Sequence, residues 1–248
     1  MTPVNFDRGA SGSLKPQMTP RFRQKQFVEG VLGNSGLFAG VPVDQLLALA
    51  CQSRIVGARR GETLVRCGEP VPGVFVVGYG QAKLALRAPR TRERVLRIVS
   101  AGQSFGAAAM LLGRASRYEV SALMDAKLVV VPAAAICALM DREPRFARSL
   151  TRILAERVLE LCDEVEAVSL QSGGQRLASY LGSLAQPVSG NSGWTVRLPV
   201  SKTLVAARLA MKKETLSRLL RRLAAEGLIQ VSRREIAIPD RDALARAM

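Results

Sequence analysis

Histidine is absent from this 248-residue chain. Its absence removes Ser-His-Asp and Cys-His catalysis, His-ligated zinc and His-ligated haem together. An enzyme would have to work without the commonest acid–base group, and no nucleophile paired with a base is visible. The four cysteines, Cys51, Cys67, Cys137 and Cys162, are scattered and form no C-x2-C pair, so no metal-binding knuckle or local iron–sulfur motif is expected. No run of 18 apolar residues exists, and no membrane-spanning helix is expected. The opening residues, MTPVNFDRGASGSLKPQMTPRFRQKQ, lack the apolar stretch of a secretory signal. Their Gly, Ser, Pro and basic content predicts a flexible basic segment over 1–35. The cysteines are therefore expected to be reduced thiols of a cytoplasmic protein, packed as small hydrophobes.

Acidic residues are the other shortage. Lys and Arg number 36 against 20 Asp and Glu, a net charge of +16. The simplest partner for such an excess is a polyanion. Solubility or a basic leader could also account for charge, but the excess persists in 171–248. Apolar residues make up 48%, enough for a sizeable core in one large or two modest domains.

Residues 37–55 read as a turn followed by a short amphipathic helix. Short β-rich runs then follow: TLV, VFVVG, AKLALR, RVLRIVS, YEVSAL and AKLVVVP, punctuated by Gly61, Gly68, Gly73, Gly80 and Gly102. Such spacing predicts an antiparallel barrel or double-sheet roll ending near Pro132. An α/β domain would need long helices between the strands, and there is no room for them.

From Pro144 the period changes. Leu154, Leu161 and Val168 recur every seven residues, with Thr151, Val158 and Val165 in the alternate position. This a/d pattern predicts a helix of roughly 25 residues, about 38 Å long, whose narrow stripe suits a partner helix. Burial against the chain's own β domain is the alternative, and both can hold on different faces. Arg157 and Glu164 lie seven apart beside the seam, where they could set register between chains. Gly173–Gly174 reads as a hinge; a further helix, a Pro/Ser/Gly/Asn loop at 187–193 and the strand TVRLPV follow.

Ser201 can cap the next helix, at 202–209. A turn at about 210–212, a second helix at 213–226, Gly227 and a two-stranded β wing turning near 232–234 complete a winged helix-turn-helix pattern. Leu216, Leu219, Leu220 and Leu223 are spaced as one apolar face. That leaves Lys213, Glu214, Ser217, Arg218, Arg221 and Arg222 outward. A merely solvated helix alternates charge sign, whereas Glu214 is the sole acid here before Glu226. The surface suits phosphates, and its N-terminal residues suit base edges in a major groove. Aromatics are only 4% of the chain, which favours duplex DNA over RNA read by stacking.

The chain over 36–242 resembles the Crp/Fnr superfamily of bacterial transcription regulators. The resemblance rests on G-E-x-L-V-x-x-G-E-P at 61–70, Gly80, G-Q-S-F-G at 102–106 and E-T-L-S-R at 214–218. It implies an α+β protein: a flexible segment 1–35, a cyclic-nucleotide-binding-type β-roll (a double-stranded β-helix) 36–140, a dimerisation helix 141–172 and a winged helix-turn-helix domain 173–248. It also implies a homodimer on double-stranded DNA, with RNA polymerase as a partner and an Fnr-type TTGAT…ATCAA operator. Glu214, Ser217 and Arg218 would contact bases, and Lys202, Lys212, Lys213, Arg221 and Arg222 phosphates.

Segments 107–112, 118–122, 164–172, 197–229 and 233–242 are similar to the dissimilatory nitrate respiration regulators, a subgroup that resembles nitric-oxide-responsive, haem-dependent activators. Two features depart from the family. The Fnr N-terminal cysteine cluster is missing, which argues against a [4Fe–4S] cluster. The cyclic-nucleotide cassette, F-G-E-L…R-S-A, has Ala107 in place of its glutamate and S-R-Y-E-V-S-A at 116–122. The ribose would lose its charge-assisted acceptor, although Arg117 could still meet a phosphate; cyclic AMP is disfavoured. An effector pocket would draw on Phe105, Gly106, Met110, Leu111, Arg117 and Tyr118, residues that suit an ordinary roll core equally well. Haem would need Cys, Met, Tyr or Lys ligands, and no pair stands out. Cys162, next to Leu161, could serve as a redox-active thiol or simply pack. A small-molecule sensor without operator binding remains the alternative from another class, but it would have no need of E-T-L-S-R.

Overall fold

A computed structural model describes residues 20–88, 92–188 and 193–246. Helix α1 (Pro20–Gly33), a 3-10 turn (Gly36–Phe38) and α2 (Val43–Gln52) precede the strands. These are β1 (Arg54–Ala58), β2 (Thr63–Val65), β3 (Gly73–Tyr79), β4 (Gln81–Ala88), β5 (Arg92–Ser100), β6 (Ser104–Phe105), β7 (Glu119–Ala122) and β8 (Ala126–Pro132), with α3 (Ala107–Leu111) before β7. They form two antiparallel four-stranded sheets, in the orders β1-β8-β3-β6 and β2-β7-β4-β5.

Alternation along β3 and β8 explains why both strands are apolar throughout. Phe75, Val77, Leu128 and Val130 point into the space between the sheets, with Leu84, Val99, Phe105 and Val120 from elsewhere in the roll. Val74, Val76, Val129 and Val131 point the other way, into a layer of helices. A sheet buried on both faces needs no polar alternation. Helix α4 (Ala133–Arg142) supplies Ile136 and Leu139 to that second layer. It was not apparent from the sequence.

The expected flexible segment 1–35 requires correction over its described part. Helix α1 places Val28, Val31 and Leu32 in the helical layer. Gly78 makes room for it, since a Cβ there would lie 2.6 Å from Phe27 Cζ. Only the C-terminal half of α1 carries the stripe at i, i+3, i+4, so the basic first half masked it. Residues 1–19 lie outside the described residues. Helix α2 also ends earlier than expected, at Gln52, and Arg54–Ile55 open β1.

Helix α5 (Pro144–Leu170) spans 27 residues, about 40 Å. Its first turns are fixed to the roll: Phe146 stacks on Phe38 with centroids 5.4 Å apart, and Leu150 is fully buried beside them. Leu154 still touches the helical layer. Beyond it, Val158, Leu161, Val165 and Val168 are exposed. The Arg157 guanidinium finds acidic partners within one chain. Its Nη1 pairs with Glu160 Oε2 at 2.7 Å and Glu164 Oε1 at 3.3 Å on its own helix. Those side chains turn toward the roll, beside Arg97.

The winged domain comprises α6 (Gly173–Leu184), β9 (Gln186–Pro187), β10 (Trp194–Arg197), α7 (Lys202–Arg208), α8 (Lys213–Ala225), β11 (Gln230–Ser232), β12 (Glu235–Ile238) and α9 (Arg241–Arg246). Gly173 and Gly174, expected at a hinge, lie within a helix. They are the first residues of α6, closed by a reciprocal box in which Ser172 Oγ accepts from Gln175 N and Gln175 Oε1 from Ser172 N. The loop expected at 187–193 lies largely outside the described residues. The domain core joins Leu177, Leu181, Val196, Val205, Leu216, Leu223, Ile229 and Ile236.

All four cysteines are exposed, contrary to the expected packing role. Cys51, Cys137 and Cys162 each lie on the outer side of an amphipathic helix, and Cys67 lies in the turn after β2.

Candidate nucleic-acid interface

Ser201 caps α7 as expected, its Oγ accepting from Leu204 N at 3.4 Å. The turn to α8 passes through Ala210 at φ 53, a left-handed conformation unusual for a residue with a Cβ. Helix α8 ends in a Schellman closure: Leu228 N donates to Leu223 O at 3.0 Å and Gly227 N to Ala224 O at 3.1 Å. Gly227 supplies the positive φ, 71, that this closure requires.

Leu216, Leu220 and Leu223 are buried, with Leu219 partly so, which fixes the rotation of α8 on its domain. Glu214, Ser217, Arg218 and Arg221 then share the opposite face at i, i+3, i+4, i+7. Glu214, Arg218 and Arg221 are exposed, and Ser217 is half-buried at the helix shoulder. Arg221 Nε donates to Ser217 O at 3.4 Å. Lys212 is the N-cap and offers no side-chain acceptor, so the first amides of α8 stay open beside Lys213. Lys202 opens α7 and is half-buried. Arg222 differs from the others, because its Nε pairs with Glu226 Oε1 at 2.8 Å.

Two basic residues escaped the sequence reading. Arg233 and Arg234 form the two-residue turn between Ser232 and Glu235, which pair across the wing. Both are exposed, and Arg233 adopts φ 52. Tandem arginines at a hairpin tip were the signal available.

A model of the Crp-like helix-turn-helix domain matches residues 175–247, and one of the cyclic nucleotide-binding domain matches 56–143. A candidate cyclic nucleotide binding protein from Ruegeria pomeroyi, of known structure, is 30% identical; the match covers 90% of this chain and 96% of that one, with a TM-score of 0.53. The chain belongs to the Crp/Fnr family of DNA-binding transcriptional regulators. The CRP-like cAMP-activated global transcriptional regulator of Mycobacterium tuberculosis is 24% identical over 88% of this chain and 99% of its own length. A CooA variant from Carboxydothermus hydrogenoformans shares the fold at TM-score 0.70 and 19% identity, over 79% of this chain and 88% of that one. Among the described residues, no helix is long and apolar enough to cross a membrane.

In this Crp/Fnr regulator the expected effector-pocket residues do not line one cavity. Phe105 stacks on Phe75 inside the roll, centroids 4.8 Å apart, while Met110 is buried in the helical layer with Leu111 packed beside it. One turn of α3 separates the two and carries Met110 to the other side of the sheet. Arg117 is exposed. Tyr118 and Gly106 do meet, the Tyr118 hydroxyl accepting from the Gly106 amide where α3 begins. Burial raises the Tyr118 pKa, opposed by that hydrogen bond and by Arg157 and Arg97 nearby. Ser116 is buried and donates to Tyr118 O at 2.6 Å.

Proposed function

We propose that this regulator binds a palindromic TTGAT…ATCAA-type operator as a homodimer joined along Thr151, Leu154, Val158, Leu161, Val165 and Val168. Glu214, Ser217 and Arg218 read bases, Arg bidentate to guanine and Glu to cytosine N4. Lys202, Lys212, Lys213 and Arg221 grip phosphates, joined by the wing residues Arg233 and Arg234. Arg222 contributes only if its pairing with Glu226 opens. The two reading helices then enter successive major-groove faces about one turn (~34 Å) apart, and the DNA-bound dimer meets RNA polymerase. The observation that carries this reading is the single exposed face bearing Glu214, Ser217, Arg218 and Arg221 opposite the buried leucines.

The division of labour is a sensing roll over 36–140, a dimerisation helix over 141–172 and a reading domain over 173–248. A cyclic-nucleotide-responsive regulator is the second reading, favoured by the domain match at 56–143. Ala107 and the Tyr118–Gly106 contact weigh against it, because the chain's own hydroxyl takes the amide at the start of α3. A haem-based nitric oxide sensor fits less well. The chain has no histidine, Met110 is buried in the apolar helical layer, and the cysteines lie apart on the surface.

The test is Arg218→Ala. A bidentate arginine–guanine pair discriminates by about 1–3 kcal/mol, so each half-site should lose about 5–150-fold in specific affinity. Binding to a scrambled duplex should stay nearly unchanged, and the dimer intact. Unaltered operator affinity would overturn the assignment.

A further inference from the structure

Between the roll, α5 and the winged domain lies a cleft of about 810 Å³. The roll contributes Arg94 and Arg97 from β5, and the winged domain contributes Arg176 from α6 and Arg208 from α7. None of these four forms an ion pair among the described residues. Arg208 Nη1 donates to Leu96 O at 3.1 Å, and Arg176 donates to Leu209 O at 3.0 Å and Gln171 O at 2.6 Å. These carbonyls anchor the guanidinium groups without neutralising them. Arg94 Nη1 is buried with no acceptor. Opposite them, α5 presents Glu160, Asp163 and Glu164, but Glu160 and Glu164 are already held by Arg157.

We infer that this cleft binds a small anion carrying two phosphoryl groups, held by Arg94 and Arg97 on one side and Arg176 and Arg208 on the other. Guanidinium forks match phosphoryl oxygens bidentately, and four of them call for more acceptors than one small oxyanion carries. The cleft volume lies within the usual range for small-molecule sites. Burial, opposed by Glu164 and reinforced by the like charges of Arg176 and Arg208, depresses the Arg94 pKa, and burial opposed by Glu160 depresses that of Arg97, so the α5 carboxylates offset the cluster only in part. The site borders the cassette around Gly106, since Arg97 Nη1 donates to Ser104 O at 3.5 Å, but its four arginines lie outside that segment. The cleft reaches the C-terminal end of the α5 stripe, where Val168 lines it beside Glu164.

The two arginine pairs belong to different parts of the chain and converge only in this arrangement. A ligand that requires both pairs therefore stabilises this orientation of the winged domain against others. That regulatory consequence rests on the operator-binding reading; the site itself does not.

The test is calorimetric titration of the full-length protein, without DNA, with inorganic pyrophosphate and separately with ADP at physiological salt. Saturable binding of one ligand per protomer is expected. Arg94→Gln and Arg208→Gln should each weaken it at least about 10-fold, whereas the exposed Arg114→Gln should not. Tighter binding of ADP identifies a nucleotide as the source, and equal binding an inorganic one. Arg94→Gln should also melt no lower than wild type in the absence of ligand, because it removes an unpartnered buried donor. A lower melting point would mark Arg94 as structural and overturn the inference. So would the absence of saturable binding by either probe, or binding indifferent to both substitutions. Because no DNA is present, failure of operator recognition would show separately.

Discussion

Val165→Glu gives the most direct view of the proposed dimer seam. In the single chain Val158, Leu161, Val165 and Val168 are 59%, 39%, 64% and 43% exposed. Fully burying a valine or leucine is worth about 1.5–3 kcal/mol, so covering these remaining surfaces contributes ~1 kcal/mol each, about 8 kcal/mol over two protomers. A glutamate at 165 removes ~1 kcal/mol on each side and places two carboxylates near the dimer axis, where desolvation and repulsion add several more. A combined loss of about 4–6 kcal/mol raises the dissociation constant by ~10³–10⁴. Leu159→Glu is the control. Leu159 is equally exposed, at 66%, but lies about 120° round the helix from Val165. Sedimentation velocity over a micromolar dilution series should show Val165→Glu as monomer and Leu159→Glu as dimer. The seam is refuted if both variants dissociate alike, or if Val165→Glu stays dimeric.

Two further outcomes follow from burial. Leu223→Ala should destabilise the winged domain by about 3–5 kcal/mol, since Leu223 is fully enclosed. Trp194, the sole tryptophan, lies in that domain under the Arg241 guanidinium, so urea unfolding followed by its fluorescence reports the change; a shift below about 1 kcal/mol would contradict the packing. Burial raises the pKa of both Tyr118 and Tyr180 above the ordinary tyrosine value. Their contribution to stability is therefore complete below about pH 10 and lost as pH rises through the folded-state values. Denaturation followed against pH should show alkaline loss of stability, with a shallower slope in Tyr118→Phe.

Much of the fold was legible because local periodicity is written directly into the chain. The strands β2, β3, β4, β5, β7 and β8 appear where the β-rich runs stand. The leucine spacing of α8 gave its buried face, and with it the outward position of Arg218. Features built from contacts across the chain were less visible. Helix α1 carries its stripe in one half only, and the grouping of Phe105 with Met110 failed because α3 turns between them. Arg157 and Glu164 showed the right spacing for a pair but not which way it faced.

The sequence alone determined the change of period at Pro144, the apolar and basic division of α8, and the family signatures that go with them. Each depends on residues within a few turns of one another, so the backbone's own repeat decides which side chains share a face. Only the tertiary structure decided that Arg208 would reach the carbonyl of Leu96, and that Arg94 and Arg97 would meet Arg176 and Arg208. No local repeat relates positions so far apart. They converge because the cores of the roll and the winged domain, each closed by its own packing, meet along β5 and α7.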